Sequence, residues 1–205
     1  MLQQQYKIDK YGKEILLQDN KHQVMMEWEK PYMEACIDEL KPQGDVLEIG
    51  FGMGYSATQI QKYKSKSHTI IEMDPMVIKR LKKWAKDYDN IIIVEGTWQK
   101  EIHNLGKFDE IFMDDYPLKE PENEYEKKMI GDRFYMFLDI CRYSHSKSNT
   151  KISAYIHDPE GTFKKRMIEN PYYIYKEYYV DMDVPDNCNY YRDNKGIIPI
   201  IQKIK

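Results

Sequence analysis

Apolar residues recur along this chain first at helical spacing, then in short runs divided by polar turns. In VMMEWEKPYMEACIDEL (24–40) they fall three and four apart, and Pro31 marks where the helix proper begins. The stretch ahead of it is polar and yields no element. After a loop with Pro42 and Gly44, DVLEIG (45–50) ends in glycines and gives way to the helical YSATQIQKY (55–63), a strand, turn and helix. HTIIEMD (68–74) predicts the next strand and MVIKRLKKWAKDY (76–88) an amphipathic helix. The alternation continues with the strand IIIVEG (91–96), a short segment around Gln99 to Asn104, the strand FDEIFMDD (108–115) and the long helix EYEKKMIGDRFYMFLDICRYS (124–144). KISAYIH (151–157) is a strand, TFKKRMIEN (162–170) a helix, and YYIYKEYYV (172–180) and IIPIIQKI (197–204) pair as a late antiparallel hairpin. Strands alternating with helices predict an α/β fold: a seven-stranded, mostly parallel sheet covered on both faces, with an antiparallel edge.

Composition narrows the class. A length of 205 residues suits one domain, 1–205, and 41% apolar against 32% charged residues supports a buried core under a solvated surface. The 31 basic and 34 acidic residues are interspersed, so no basic face for nucleic acid is expected. No run approaches the roughly 20 apolar residues of a membrane span, and the polar start lacks a secretory signal. Cys36, Cys141 and Cys188 lie far apart and outside any metal-ligand spacing, as packing thiols of a cytoplasmic protein would. The 18 tyrosines read mostly as strand residues.

The glycine loop carries the first chemistry. Gly50, Gly52 and Gly54 follow the first core strand, and without β-carbons they let the backbone pass close to a ligand. A dinucleotide loop would place its third glycine where Tyr55 stands. With Glu48 ahead of it, the G-x-G-x-G spacing instead resembles motif I of the class I methyltransferases, which implies a Rossmann-like sheet binding S-adenosyl-L-methionine. On that pattern the cofactor stretch takes in Glu48, Gly50, Phe51, Gly52, Met53, Gly54, Tyr55 and Ser56. A carboxylate at the end of the second sheet strand can accept ribose hydroxyls; Glu72 fits, with Asp74 second and Met73 between them.

Acidic pairs carry the second. Asp114 and Asp115 end the fourth sheet strand, at the sheet edge where ligands bind, so both are expected to face a substrate. Paired carboxylates in a partly dehydrated cleft suit a planar guanidinium with its forked donors. One of them must also localise its charge or take its proton, because a guanidinium nitrogen is a weak nucleophile. Glu27 and Glu29 in MMEWEKPYM form a further acidic cluster.

Four ordered blocks resemble the guanidinoacetate N-methyltransferase family and its relatives that methylate the δ-nitrogen of protein arginine. They are VMMEWEKPYM; VLEIGFGM followed by IIE; G-x-W followed by FDEIFMDDYPL; and VPDNCNYYRDNKGIIPII. The resemblance covers roughly 20–201. It implies that Glu29 and Asp114 hold a guanidinium, with Asp114 taking up its charge. It further implies that Met25, Met33, Phe51, Gly52, Met53 and Glu72 touch the cofactor, that Trp98 lies by its adenine with Gln99 beside it, and that residues 1–30 cover the site. The segment after the fifth strand departs from the family. His157 and Asp158 stand where small polar residues and amides would meet a substrate carboxylate, Pro159 offers no amide, and Asp115 replaces a threonine. A pocket of Asp115, His157 and Asp158 would be more acidic than the family's and favour a more cationic guanidine, such as an arginine side chain. The rival expectations are a small-molecule amine as acceptor, and a protein that binds the cofactor without turning it over.

Overall fold

The structure, a computed structural model, describes residues 4–115 and 124–204, with 124–131 described by backbone alone. It opens on an antiparallel sheet of β1 (Gln4–Ile8), β2 (Glu14–Gln18) and β3 (His22–Met26), where the polar pattern had yielded no element. These strands are five residues long and mix polar with apolar side chains, so their alternation is too short to register. Their turns are more legible. Asp19 and Asn20 both take positive φ, 51° and 59°, as the tight hairpin turn before β3 demands. Val24 to Met26 therefore complete a strand rather than open a helix. A single 3₁₀ turn, Glu27–Glu29, leads into α1 (Lys30–Leu40), with Pro31 in its first turn.

The main sheet is built from β4 (Asp45–Ile49), β5 (Ser67–Glu72), β6 (Ile91–Glu95), β7 (Phe108–Met113), β8 (Ser146–Ala154), β9 (Tyr173–Asp181) and β10 (Lys195–Lys203). Their spatial order is β6-β5-β4-β7-β8-β10-β9, parallel from β6 through β8, with β10 antiparallel to both neighbours. The late hairpin thus turns inward, and its second strand, not its first, joins the parallel sheet. The connecting helices are α2 (Tyr55–Lys62), α3 (Pro75–Trp84), α4 (Trp98–Glu101), α5 (Glu124–Ile140) and α6 (Thr162–Ile168). The long helix expected to reach 144 ends at Ile140, and Cys141–His145 widen into a π turn before β8. That strand starts at Ser146, ahead of the expected 151, because its polar first half, Ser146 to Thr150, carries no apolar signal. None of the described helices is long and apolar enough to cross a membrane.

Alternate strand residues feed two cores. Val46, Ile70 and Phe112 pack under α1, α2 and α3, while Leu47, Ile71 and Met113 pack with Trp98 and with Phe137 and Leu138 of α5. Fully buried Tyr32 ties α1 to the sheet: its hydroxyl donates to the Ile197 carbonyl at 2.5 Å, lies 3.1 Å from the Ile156 carbonyl, and accepts from the Ile156 amide at 3.3 Å. Removing that oxygen strands buried backbone groups, so Tyr32→Phe is expected to cost about 1–3 kcal/mol of stability in urea unfolding. Wild-type stability in this variant would contradict the tie.

Candidate functional site

The loop after β4 is held by contacts that only glycine permits. Gly50, Gly52 and Gly54 take positive φ of 83°, 51° and 79°. A β-carbon at Gly50 would stand 2.2 Å from the Asp114 carbonyl oxygen, and one at Gly52 would stand 2.7 Å from the Met25 sulfur. The loop thus abuts the end of β7 on one side and the N-terminal sheet on the other. The Asp114 amide donates to Ile49 O at 3.0 Å, and the Tyr6 hydroxyl donates to Gly52 O at 2.6 Å. Arg80 of α3 stacks 4.4 Å from the Tyr6 ring centroid and forks onto Glu14 at 2.6 and 3.0 Å, clamping the N-terminal sheet over the loop.

At the end of β5, Glu72 organises the same region. Its Oε2 accepts from Phe51 N at 2.9 Å, and its Oε1 accepts from Met73 N and Asp74 N at 2.7 and 2.8 Å. Three amides leave one acceptor position on Oε2. Desolvation nevertheless raises its carboxyl above the usual range. Next to it, Met73 and Gly96 line a surface cavity of about 570 Å³ at the carboxyl ends of β5 and β6.

Across the loop stand Asp114 and Glu29, and the Asp114 charge bears on Glu29. Glu29 is 2% exposed; its Oε1 accepts from Met26 N at 2.7 Å and from the Tyr190 hydroxyl. Among the described residues its Oε2 has no hydrogen-bond partner. Desolvation first, and the Asp114 charge after the opposing Tyr190 bond, push the Glu29 carboxyl up to about 8. Asp114 keeps some solvent contact but is desolvated enough to be pushed up to about 7, with Asp115, Glu48 and Glu72 adding repulsion. Both carboxyls thus resist ionisation, and among the described residues neither has a cation paired with it.

Several expected site residues have other partners. Asp115 does not join Asp114: successive residues leave a strand on opposite faces, so Asp114 follows Phe112 toward α1 and Asp115 follows Met113 toward α5. There the Asp115 Oδ2 accepts from Trp98 Nε1 at 2.8 Å and pairs with Arg133. Asp158 is turned back on α6, where its two oxygens accept from Phe163 N and Lys164 N at 3.0 Å each. His157 pairs with Asp193 at 2.7 Å and packs on the Tyr191 ring. The expected acidic pocket of Asp115, His157 and Asp158 is therefore not assembled.

Glu48 is fully buried beneath α2, with its oxygens taken by the Ser56 hydroxyl and by His68 Nε2 at 2.8 Å, so both Glu48 and Ser56 serve the loop's foundation. Asp74 caps α3 through the amides of Met76 and Val77 and accepts from Gln4 N at 3.2 Å. Trp98 is buried against Phe137, Gln99 and Met73 are exposed, and Phe51, Met53, Met25 and Met33 are buried around the loop, with Tyr55 half-buried at the start of α2. Tyr116, Pro117 and Leu118 of the third sequence block lie outside the described residues.

Four participants were not foreseen: Tyr6, His68, Arg133 and Tyr190. Tyr190 stood inside a recognised block, and a buried carboxylate beside it was the signal for a hydroxyl partner. The other three are joined to their partners only by the fold.

The family profile of guanidinoacetate N-methyltransferase matches residues 7–136. Protein arginine N-methyltransferase 2 of Candida glabrata is 33% identical over 96% of this chain and 47% of its own length; that of Saccharomyces cerevisiae is 38% identical over 49% of this chain and 26% of its own. The chain thus spans half or less of the curated relatives it matches. Spermidine synthase from Thermotoga maritima superposes with a TM-score of 0.69 at 18% identity, covering 99% of this chain and 69% of that one. A precorrin-6y C5,15-methyltransferase from Geobacter metallireducens does so with 0.61 at 15%, covering 84% and 88%. At such identities these two speak for the fold alone, whereas the profile match extends over more than half of the sequence, and on that ground the chain belongs to the guanidinoacetate N-methyltransferase family.

Proposed function

We propose that this chain methylates a guanidino nitrogen with S-adenosylmethionine, and that Glu29 and Asp114 hold the acceptor. The observation that carries this reading is the pair of desolvated carboxylates, one at the carboxyl end of the sheet and one ahead of α1, with no cation paired to either among the described residues. The names of the relatives, arginine N-methyltransferases, agree with such an acceptor.

The chain's own groups fit the cofactor. The glycine loop packs tightly on Asp114, Met25 and Phe51, Glu72 keeps one acceptor position that a ribose hydroxyl could use, and the cavity at Met73 and Gly96 lies beside it. When bound, S-adenosylmethionine supplies a methyl whose bond to a cationic sulfur breaks as the new C–N bond forms. Glu29 binds the acceptor through its unpartnered Oε2 while Met26 and Tyr190 fix Oε1. Asp114 accepts the proton that the attacking nitrogen loses, a task suited to a carboxyl poised near neutrality. The charges balance throughout. Two carboxylates first face a guanidinium and a sulfonium; afterwards one ionised Glu29 faces one methylguanidinium. The sheet β1–β3, latched by Tyr6 to Gly52, keeps water from this exchange.

Labelled methyl transfer to guanidinoacetate, arginine, agmatine and arginine peptides tests the reading. Turnover of at least one guanidine is expected, and Asp114→Asn should lower kcat by about 100-fold or more while affinity for S-adenosylhomocysteine changes little. Turnover of non-guanidino amines alone, or an unchanged kcat in Asp114→Asn, would falsify it.

A guanidinium stays charged at all working pH, so productive binding awaits ionisation of both acids. In wild type kcat/KM is expected to rise with pH through about 7–8 and then level off. A profile flat from pH 6 to 9 contradicts the clamp.

The same shifts have a cost in stability. Carboxyls whose folded values exceed their unfolded ones favour the fold fully below pH about 4 and lose that contribution as pH rises through about 7–8. Without ligands, Glu29→Gln should therefore melt several degrees above wild type at pH 9, with the difference vanishing near pH 4. Equal or lower melting at pH 9 would show that Glu29 is not held against repulsion.

A further inference from the structure

Asp115 is a third carboxylate one residue from the proposed proton acceptor, and the fold pairs it with a cation. Its Oδ2 takes the Trp98 indole proton at 2.8 Å and pairs with Arg133, whose side chain is 24% exposed. Arg133 and Phe137 stand four apart on α5 and so share one face. Phe137 packs edge-on against Trp98 with ring centroids 5.2 Å apart, so one face of α5 supplies both the cation and the wall that fixes the indole. Arg133 Nε is buried with no hydrogen-bond partner among the described residues, while its terminal nitrogen is paired with Asp115.

We propose that Arg133 is a positioning residue of the transfer site, holding Asp115 in an ion pair on the α5 side so that part of its charge is offset before it bears on Asp114 and the acceptor. This rests on the guanidine reading for its purpose, but its geometry stands apart. Asp114 is surrounded by acids and weak acids on every element packed against it: Glu29 ahead of α1, Tyr32 and Cys36 on α1, Glu48 on β4, Glu72 on β5 and Tyr155 after β8. None of these is a cation. Among the described residues, Arg133 is the cation paired with Asp115, the acid next to Asp114 in sequence, and it offsets part of that charge. If it is removed, an uncompensated Asp115 charge adds to the repulsion on Asp114; at a separation of several Å in a protein environment, that interaction is worth roughly a tenfold change in ionisation or more.

The test is carbon-detected NMR titration of the protein labelled at aspartate carboxyls, with Asp114→Asn identifying the Asp114 signal. Arg133→Met should raise the Asp114 midpoint by about one pH unit or more. Arg133→Lys should return most of that shift, and Arg133→Met combined with Asp115→Asn should restore the wild-type midpoint. In turnover, Arg133→Met should lose about tenfold in kcat/KM at pH 7 and recover near pH 9. A folded Arg133→Met with an unmoved midpoint, or a double variant that keeps the shift, overturns the proposal, since a merely structural Arg133 would lower stability and leave the titration in place. The titration needs no substrate, so failure of the wild-type chain to turn over any guanidine counts against the guanidine reading alone, and an unmoved Asp114 counts against Arg133 alone.

Discussion

The desolvation of two carboxyls, Glu29 and Asp114, is the constraint around which the candidate site is arranged. Buried like charges are unfavourable, and a fold keeps them only by tying each to structure that it cannot surrender. Asp114 is tied by its backbone: its amide bonds to Ile49, and its carbonyl fills the space left free by Gly50. Glu29 is tied by its side chain, through the Met26 amide and the Tyr190 hydroxyl. One acid thus comes from the middle of the parallel sheet. The other comes from the junction of the N-terminal sheet with α1, and a residue near the far end of the chain holds it in place. The site exists only when all three have docked.

Around that pair, charge is either compensated or turned away. Glu48 is satisfied by Ser56 and His68, Glu72 by three backbone amides, Asp74 by the start of α3, Asp158 by the start of α6, and Asp115 by Arg133 and Trp98. Each of these carboxylates has found a donor within the fold. Glu29 has donors on Oε1 and, among the described residues, none on Oε2, as Asp115 has none on Oδ1; but Asp115 is paired with Arg133 and Glu29 with no described cation. That difference in charge pairing separates an acid that builds the scaffold from one that awaits a cation more clearly than acidity in the sequence does.

Much of this was legible in the chain. Long periodic stretches such as 76–88 and the apolar run 45–50 gave their elements to within a few residues, because burial on one or both faces leaves a periodic record. The glycine spacing marked the loop, since close backbone approach permits no other residue there. Glu29 and Asp114 were identified by their blocks, and the structure sets them in each other's field. What could not be read depended on contacts between distant positions. The strands of the N-terminal sheet are too short for a period, though Asp19 and Asn20 marked their turn. Asp115 was expected beside Asp114 because adjacency in sequence was taken for a shared direction, whereas the alternation of a strand sends the two to opposite faces. Asp158 looked like a pocket acid because an N-terminal cap and a ligand-facing carboxylate have the same composition; only the Phe163 and Lys164 amides distinguish them.

The central claim is that the Glu29 and Asp114 pair is a cation site held partly protonated until a guanidinium arrives. Calorimetry of guanidine binding to the complex with S-adenosylhomocysteine at pH 7, repeated in buffers of different ionisation enthalpy, counts the protons exchanged. The account predicts release of more than one proton per guanidine bound, falling to about half a proton in Glu29→Gln, where Asp114 alone still ionises; binding with no proton released, or release that survives Glu29→Gln unchanged, would contradict it.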